Sequence, residues 1–132
     1  MNRIQQREQA FFLLFQNQFR LSIEEEDNSI ELYSENVEQV GDYAIELYHG
    51  VLDKQEEIDE IISSFSNGWK INRLPKVNLS ILRLAVYEMK YEEDVPDSVA
   101  INEAVELCKK YSGKEDSAFI NGILGSYSRS KS

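Results

Sequence analysis

The side chains that could do chemistry in this chain of 132 residues are few and scattered. His49 is the only histidine and Cys108 the only cysteine. With no second His and no Cys nearby, His49 lacks the company a metal ion needs, and no oriented partner that would make it a general base can be read from the sequence. Cys108 falls on an apolar helical face and reads as a core residue. Asn102 and Glu103 open a helix, where polar side chains mostly cap or face water. Arg3 and Arg7 stand four apart, on one helical face, and by residue type alone read as a solvated helix start. No glycine-rich phosphate loop, no zinc-ligand spacing and no nucleophile with a neighbouring base is present. The expectation is a protein with no catalytic residues, no metal and no cofactor.

Charge narrows the choice of partners. The net charge of −10 argues at first against nucleic acid, but its distribution is uneven. Residues 21–60 hold fourteen Asp or Glu against one Lys. Residues 1–20 carry three Arg against one Glu, and residues 61–132 carry ten basic against nine acidic side chains. Phosphate contacts depend on local rather than total charge, so a basic surface outside the acidic segment remains compatible with the composition. The acidic segment itself would repel RNA and should face away from any RNA site.

The positioning elements follow from apolar spacing. A hydrophobic fraction of 42% with only two prolines fits a globular chain, and the length suits one domain spanning 1–132. Arg3 to Phe19 reads as a helix that is apolar almost all round from Ala10 to Leu14. Residues 21–36 read as a loop with a short helix. Val37 to Phe65 carries one long helical stripe that breaks between Asp53 and Glu57, just after Gly50, where a kink or a change of packing partner is expected. Ser66-Asn67-Gly68 ends that helix and Trp69 reads as an anchor. Beyond Pro75 a helix running to about Met89 is apolar on nearly every side and should be the central buried one, with Arg83 and Glu88 its polar exceptions. The stretch VPDSVAINEAVELCKKYSGKEDSAFINGILG, residues 95–125, then gives two amphipathic helices. Pro96 starts the first, Gly113 supplies a left-handed cap, and Asp116 or Ser117 caps the second, whose inward face is Phe119, Ile120, Ile123, Leu124 and Tyr127. Ser126 to Ser132 reads as a frayed tail. No segment alternates with period two, so the fold class is all-α with six or seven helices. No signal-peptide layout or membrane-length apolar run is present, which makes a cytoplasmic location the economical expectation.

Pro96, Val99-Ala100-Ile101-Asn102-Glu103-Ala104, Glu106-Leu107, Lys109 and Phe119-Ile120-Asn121-Gly122-Ile123-Leu124 also carry a resemblance. Together with Trp69, Arg73-Leu74, Ile81-Leu82-Arg83 and Tyr87-Glu88 upstream, their order and spacing resemble the NusB family of bacterial transcription antitermination factors. The resemblance implies two three-helix bundles packed nearly at right angles around a shared long helix. It implies a partner, the small-subunit ribosomal protein NusE, and an RNA, the single-stranded boxA element of nascent ribosomal transcripts. The pair would join the RNA polymerase antitermination complex and promote read-through of terminators. By position, the RNA-proximal residues implied are Arg3, Arg7, Phe15, Glu115, Asp116 and Phe119. Whether the chain forms a homodimer without NusE stays open. The same fold occurs at the N-terminus of certain ribosomal RNA cytosine methyltransferases, which is the alternative expectation.

Overall fold

The computed structural model describes residues 1–20 and 27–131. Among them the chain runs α1 (Arg3–Asn17), α2 (Ser29–Asn36), α3 (Asp42–Asp53), α4 (Gln55–Phe65), a 3-10 turn (Ile71–Arg73), α5 (Lys76–Tyr91), α6 (Asp97–Tyr111) and α7 (Lys114–Ser130). These are seven α-helices with no strand among the described residues, as the apolar spacing leads one to expect. Residues 21–26 of the expected acidic loop lie outside the described residues, and the short helix expected there is α2. No helix among the described residues is long and apolar enough to cross a membrane.

Helix α5 is central because its sequence gives it no face to show to water. Leu79, Ile81, Leu82, Leu84, Ala85, Val86 and Met89 are all buried, so neighbours must cover every side. It packs against α1 and α3 in one bundle and against α6 and α7 in the other, with α4 against both α5 and α7. Both bundles therefore share α5. Helix α1 runs antiparallel to it. The Gln18 amide at one end donates to Lys76 O (2.8 Å) and Ser80 Oγ (2.6 Å), while Arg7 at the other reaches Glu88.

The polar exceptions of α5 are both satisfied inside the fold. Glu88 is 1% exposed. It accepts from Arg7 Nε at 2.9 Å on each oxygen and from the Tyr43 hydroxyl at 2.5 Å. Arg83 makes a two-pronged pair with Asp59 of α4, both contacts 2.9 Å. One pair ties α5 to α1 and α3, the other ties it to α4.

Several local expectations need correction. The stripe from Val37 to Phe65 starts as a helix only at Asp42, and it breaks where expected, dividing at Lys54 into α3 and α4, which pack on different partners. Gly50 sits inside α3 for a packing reason: a Cβ there would lie 2.3 Å from the Tyr87 ring of α5. Gly113 is not a left-handed cap, since its backbone is extended (φ 169°, ψ 174°). Helix α7 already begins at Lys114 with no side-chain cap, so Asp116 and Ser117 lie within its first turn. Asp116 there accepts a hydrogen bond from Ser112 Oγ. The tail does not fray at Gly125. Helix α7 continues to Ser130 because Ser128 Oγ donates to Asp97 (2.7 Å) and Lys131 Nζ caps Met89 O of α5 (2.7 Å).

Cys108 is fully buried, as expected of a core residue, and burial pushes its thiol above the ordinary value. His49 is exposed beside the Tyr48 ring, and no cluster of side chains able to hold a metal occurs among the described residues.

Removing one member of the buried cluster should be far worse than removing all of it. Glu88→Ala leaves the Arg7 charge uncompensated and should cost about 3–5 kcal/mol in chemical denaturation. Replacing Arg7, Glu88 and Tyr43 together by Met, Leu and Phe should recover most of that loss. Equal losses in the two variants would refute the account.

A second test concerns Glu92, at the end of α5. Burial first, then a hydrogen bond with Glu46 and the negative charges of Glu46 and Asp94, raise its carboxyl from 4.5 to about 7. The folded state therefore holds a proton that the unfolded chain releases near 4.5. This contribution is fully present below 4.5 and lost as pH rises through about 7. Glu46→Gln, which can donate to an ionised Glu92, should flatten the fall of melting temperature across that window. An unaltered slope would remove the pair from the account.

Candidate nucleic-acid interface

The six residues that the sequence singles out do not form one site. Asp116 and Phe119 lie on the first turns of α7 and line a groove of about 340 Å³ with Trp69, Arg73, Leu74, Pro75 and Asn78. Glu115 is exposed in the same turn, where the free backbone N–H groups of a helix start favour carboxylates. Phe15 is half-buried on the last turns of α1, at the end of that helix that Gln18 fastens to the start of α5. Its ring meets the exposed Phe19 ring edge-on at 5.2 Å. These residues share one end of α5.

Arg3 and Arg7 lie at the other end. Glu88, the partner of Arg7, is ten residues along α5 from Asn78, about 15 Å of helix. Arg7 also departs from expectation in kind: it is 5% exposed with its Nε on Glu88. Its position four residues from Arg3 puts it on the same face, but the greater depth of its turn aims it into the core. It is therefore a structural charge rather than a group free to meet phosphate. Arg3 is exposed, paired with Asp94 at 3.1 Å and stacked 4.2 Å over the Tyr43 ring.

The groove end of α5 carries residues that the apolar pattern does not single out. Trp69, expected to anchor the core, is 55% exposed. The chain leaves α4 through left-handed Asn67 (φ 52°) and Gly68 (φ 89°), and this turn swings Trp69 outward. Its ring meets Phe119 edge-on, centroids 6.2 Å apart at 65°. Buried Ser66 fixes the turn, donating from Oγ to Trp69 O at 2.8 Å and accepting at its carbonyl from Trp69 N–H at 3.1 Å. Phe19, 55% exposed, lies under Lys76, whose Nζ is 5.5 Å from its centroid.

Electrostatics single out the same end. Elsewhere the cations are spent on carboxylates: Arg7 on Glu88, Arg83 on Asp59, Lys90 on Glu57, Lys110 on Glu8, Lys131 on Asp97. Lys70, Arg73, Lys76 and Lys114 have no carboxylate partner among the described residues. Three of them lie in Trp69-Lys-Ile-Asn-Arg-Leu-Pro-Lys76, a stretch without an acidic residue, and the fourth opens α7. That stretch was the one legible signal for them. Unpaired cations beside exposed rings can hold phosphates while bases stack, the usual chemistry of single-stranded nucleic-acid binding.

Asn78 completes the groove. It is 1% exposed, and its Oδ1 is the one buried side-chain polar atom without a hydrogen-bond partner among the described residues. An unmade bond of this kind costs about 1–3 kcal/mol.

Exposure of the rings predicts how they fail. Trp69→Ala should change folding stability by no more than about 0.5 kcal/mol, as exposed substitutions do. Phe119→Ala, half-buried against α5, should cost about 2 kcal/mol of folding as well. Thermal unfolding of the two variants checks this, and a large loss with Trp69→Ala would return that residue to the core.

Comparison with known proteins agrees with the fold and the motifs. Residues 4–129 match the family model described as the NusB family. A curated relative, the transcription antitermination protein NusB of Acetivibrio thermocellus, is 50% identical over 127 residues, covering 95% of this chain and 87% of that protein. Among solved structures, T. maritima NusB superposes with a TM-score of 0.82 at 34% identity, covering 98% of this chain and 92% of that one. The antitermination factors NusB and NusE in complex with double-stranded RNA give 0.79 at 29% identity, covering 98% of this chain and 99% of that one. With a family model over nearly its whole length and a close relative of similar size, this chain belongs to the NusB family of transcription antitermination proteins.

Proposed function

We propose that this protein is a transcription antitermination factor that, with NusE, holds single-stranded boxA RNA of nascent ribosomal transcripts and promotes read-through by RNA polymerase. The observation that carries the RNA reading is the convergence of Lys70, Arg73, Lys76 and Lys114, which have no carboxylate partner among the described residues, on the end of α5 that also exposes Trp69 and Phe19. A chain of charge −10 has few cations to spare, and these four lie together. Phe15, Asp116 and Phe119 belong to this surface, Glu115 borders it, Arg3 is peripheral to it, and Arg7 acts inside the fold. NusE enters by kinship: a relative of the same fold is seen in complex with NusE and RNA. The alternative, the RNA-binding domain of a ribosomal RNA methyltransferase, is not favoured, because the curated relatives that this chain matches are named as transcription antitermination proteins.

The test is titration of a boxA oligonucleotide across a salt series, with and without NusE. Arg73→Ala should reduce the magnitude of the salt slope by about 0.7, one phosphate contact on a single strand. Arg3→Ala should leave it nearly unchanged. The reverse pattern would move the RNA to the start of α1. Equal affinity with and without NusE would sink the joint binding.

A further inference from the structure

We propose that the cleft between the first turns of α1 and the middle of α6 docks a protein partner through one arginine or lysine side chain, whose stem lies on Ile4 and Leu107 and whose head pairs with Glu103. The surface is separate from the groove end of α5 and does not depend on the RNA reading.

The cleft follows from how its walls pack. Helices α1 and α6 both lie against α5. They meet each other where the Tyr111 ring packs on Phe11 and Phe12, centroids 5.2 and 5.3 Å away, and where Lys110 Nζ pairs with Glu8 at 2.8 Å. Toward the start of α1 they leave a space of about 380 Å³. Ile4, Arg7 and Glu8 line it from one helical face of α1, and Glu103 and Leu107 line it from one face of α6. Leu107 is buried, but Ile4 is 59% exposed. Ile4 does not stand on a frayed end. Reciprocal hydrogen bonds between Asn2 and Gln5, 2.8 and 3.0 Å, fix that first turn. An isoleucine held in water on an ordered turn gains by being covered, and its partner across the cleft is aliphatic as well.

Charge selects what covers it. The cations of the lining are already matched: Arg7 by Glu88, Lys110 by Glu8, and Lys109 by Glu106 at 3.6 Å. Glu103 is half-buried and has no hydrogen bond or ion pair among the described residues. Counting Glu88 with its partner Arg7, three cations face four carboxylates, a net charge of −1 that a single cation cancels. Arg7 is not that cation, because both Glu88 oxygens hold its Nε at 2.9 Å. Arginine and lysine join one positive head to an aliphatic stem, which is the combination that Glu103, Ile4 and Leu107 ask for. A phosphate would add negative charge to a cleft that lacks a positive one. A small free amine would answer Glu103 and leave Ile4 wet, whereas a side chain carried on a polypeptide brings its own backbone and neighbours over Ile4.

The probes are two blocked tripeptides, acetyl-Leu-Arg-Leu-amide and its citrulline counterpart, which keeps the stem and the planar head but carries no charge. Each is titrated into the isotope-labelled full chain, and binding is read from the backbone amide shifts of the first turns of α1 and of α6 around Glu103. The arginine peptide should bind about tenfold more tightly, the size of a charge-assisted hydrogen bond to a partly buried carboxylate. Glu103→Gln should bring it down to the level of the citrulline peptide without lowering the melting temperature, since Glu103 holds nothing inside the fold. Ile4→Ser should weaken both peptides alike. The comparison of the two peptides needs only the unaltered protein, so the test stands if a variant does not fold. Equal binding of the two peptides, shifts confined to residues outside the cleft, or no binding of either would overturn the docking site and leave the RNA reading untouched. If a boxA oligonucleotide moved the same amides and displaced the arginine peptide, the cleft would belong to RNA and the protein docking would be wrong.

Discussion

A helix that is apolar on every side must be enclosed, and this chain encloses α5. That constraint explains the two bundles, the short connections between neighbouring helices and the place of the buried Glu88 carboxylate. Glu88 sits where α5 meets α1 and α3 together. Burying an ion there is costly, and the cost is offset by supplying the whole coordination at once, a guanidinium and a phenol from two other helices. Such an arrangement selects one register among the three. A hydrophobic replacement could fill the space, but it would not distinguish the correct axial position of α1 from a slip by one turn.

The same logic partitions the cations. Several of those that meet carboxylates bind helix to helix: Arg83 joins α5 to α4, Lys110 joins α6 to α1, and Lys131 closes the end of α7 over α5 and the start of α6. In an acidic chain this pairing is the default outcome, and escaping it takes sequence design. The stretch from Trp69 to Lys76 escapes because no carboxylate occurs within it. The negative total and a usable positive surface therefore coexist.

Legibility followed periodicity. Helices were readable wherever apolar residues recurred at three- and four-residue steps, and α5 was identified as central because it lacked a polar face. What the spacing could not carry was depth. Arg3 and Arg7 are equivalent on a helical wheel, yet one is solvated and the other buried, because the difference lies in how far α1 extends past α5. Trp69 was misread for a related reason. A large apolar residue after a polar turn is usually core, and only the left-handed pair Asn67-Gly68 reverses its direction. The orphan oxygen of Asn78 was also beyond reach, since whether a buried amide finds a partner depends on three-dimensional neighbours. Phe119 and Asp116 were reached through the resemblance, and the amphipathic pattern of α7 counted Phe119 simply as inward-facing.

The turn that carries Trp69 has a thermodynamic implication. Its backbone is clamped at both ends through Ser66, while its ring stands in water. An exposed aromatic on a loose loop must give up backbone freedom each time something stacks on it. Here that freedom has been surrendered during folding, so a planar ring stacking on Trp69 would meet a surface already in position and lose little ordering entropy at the encounter. Such a gain would be invisible in any tally of contacts, because it would reside in Ser66, which fixes the turn rather than the ring.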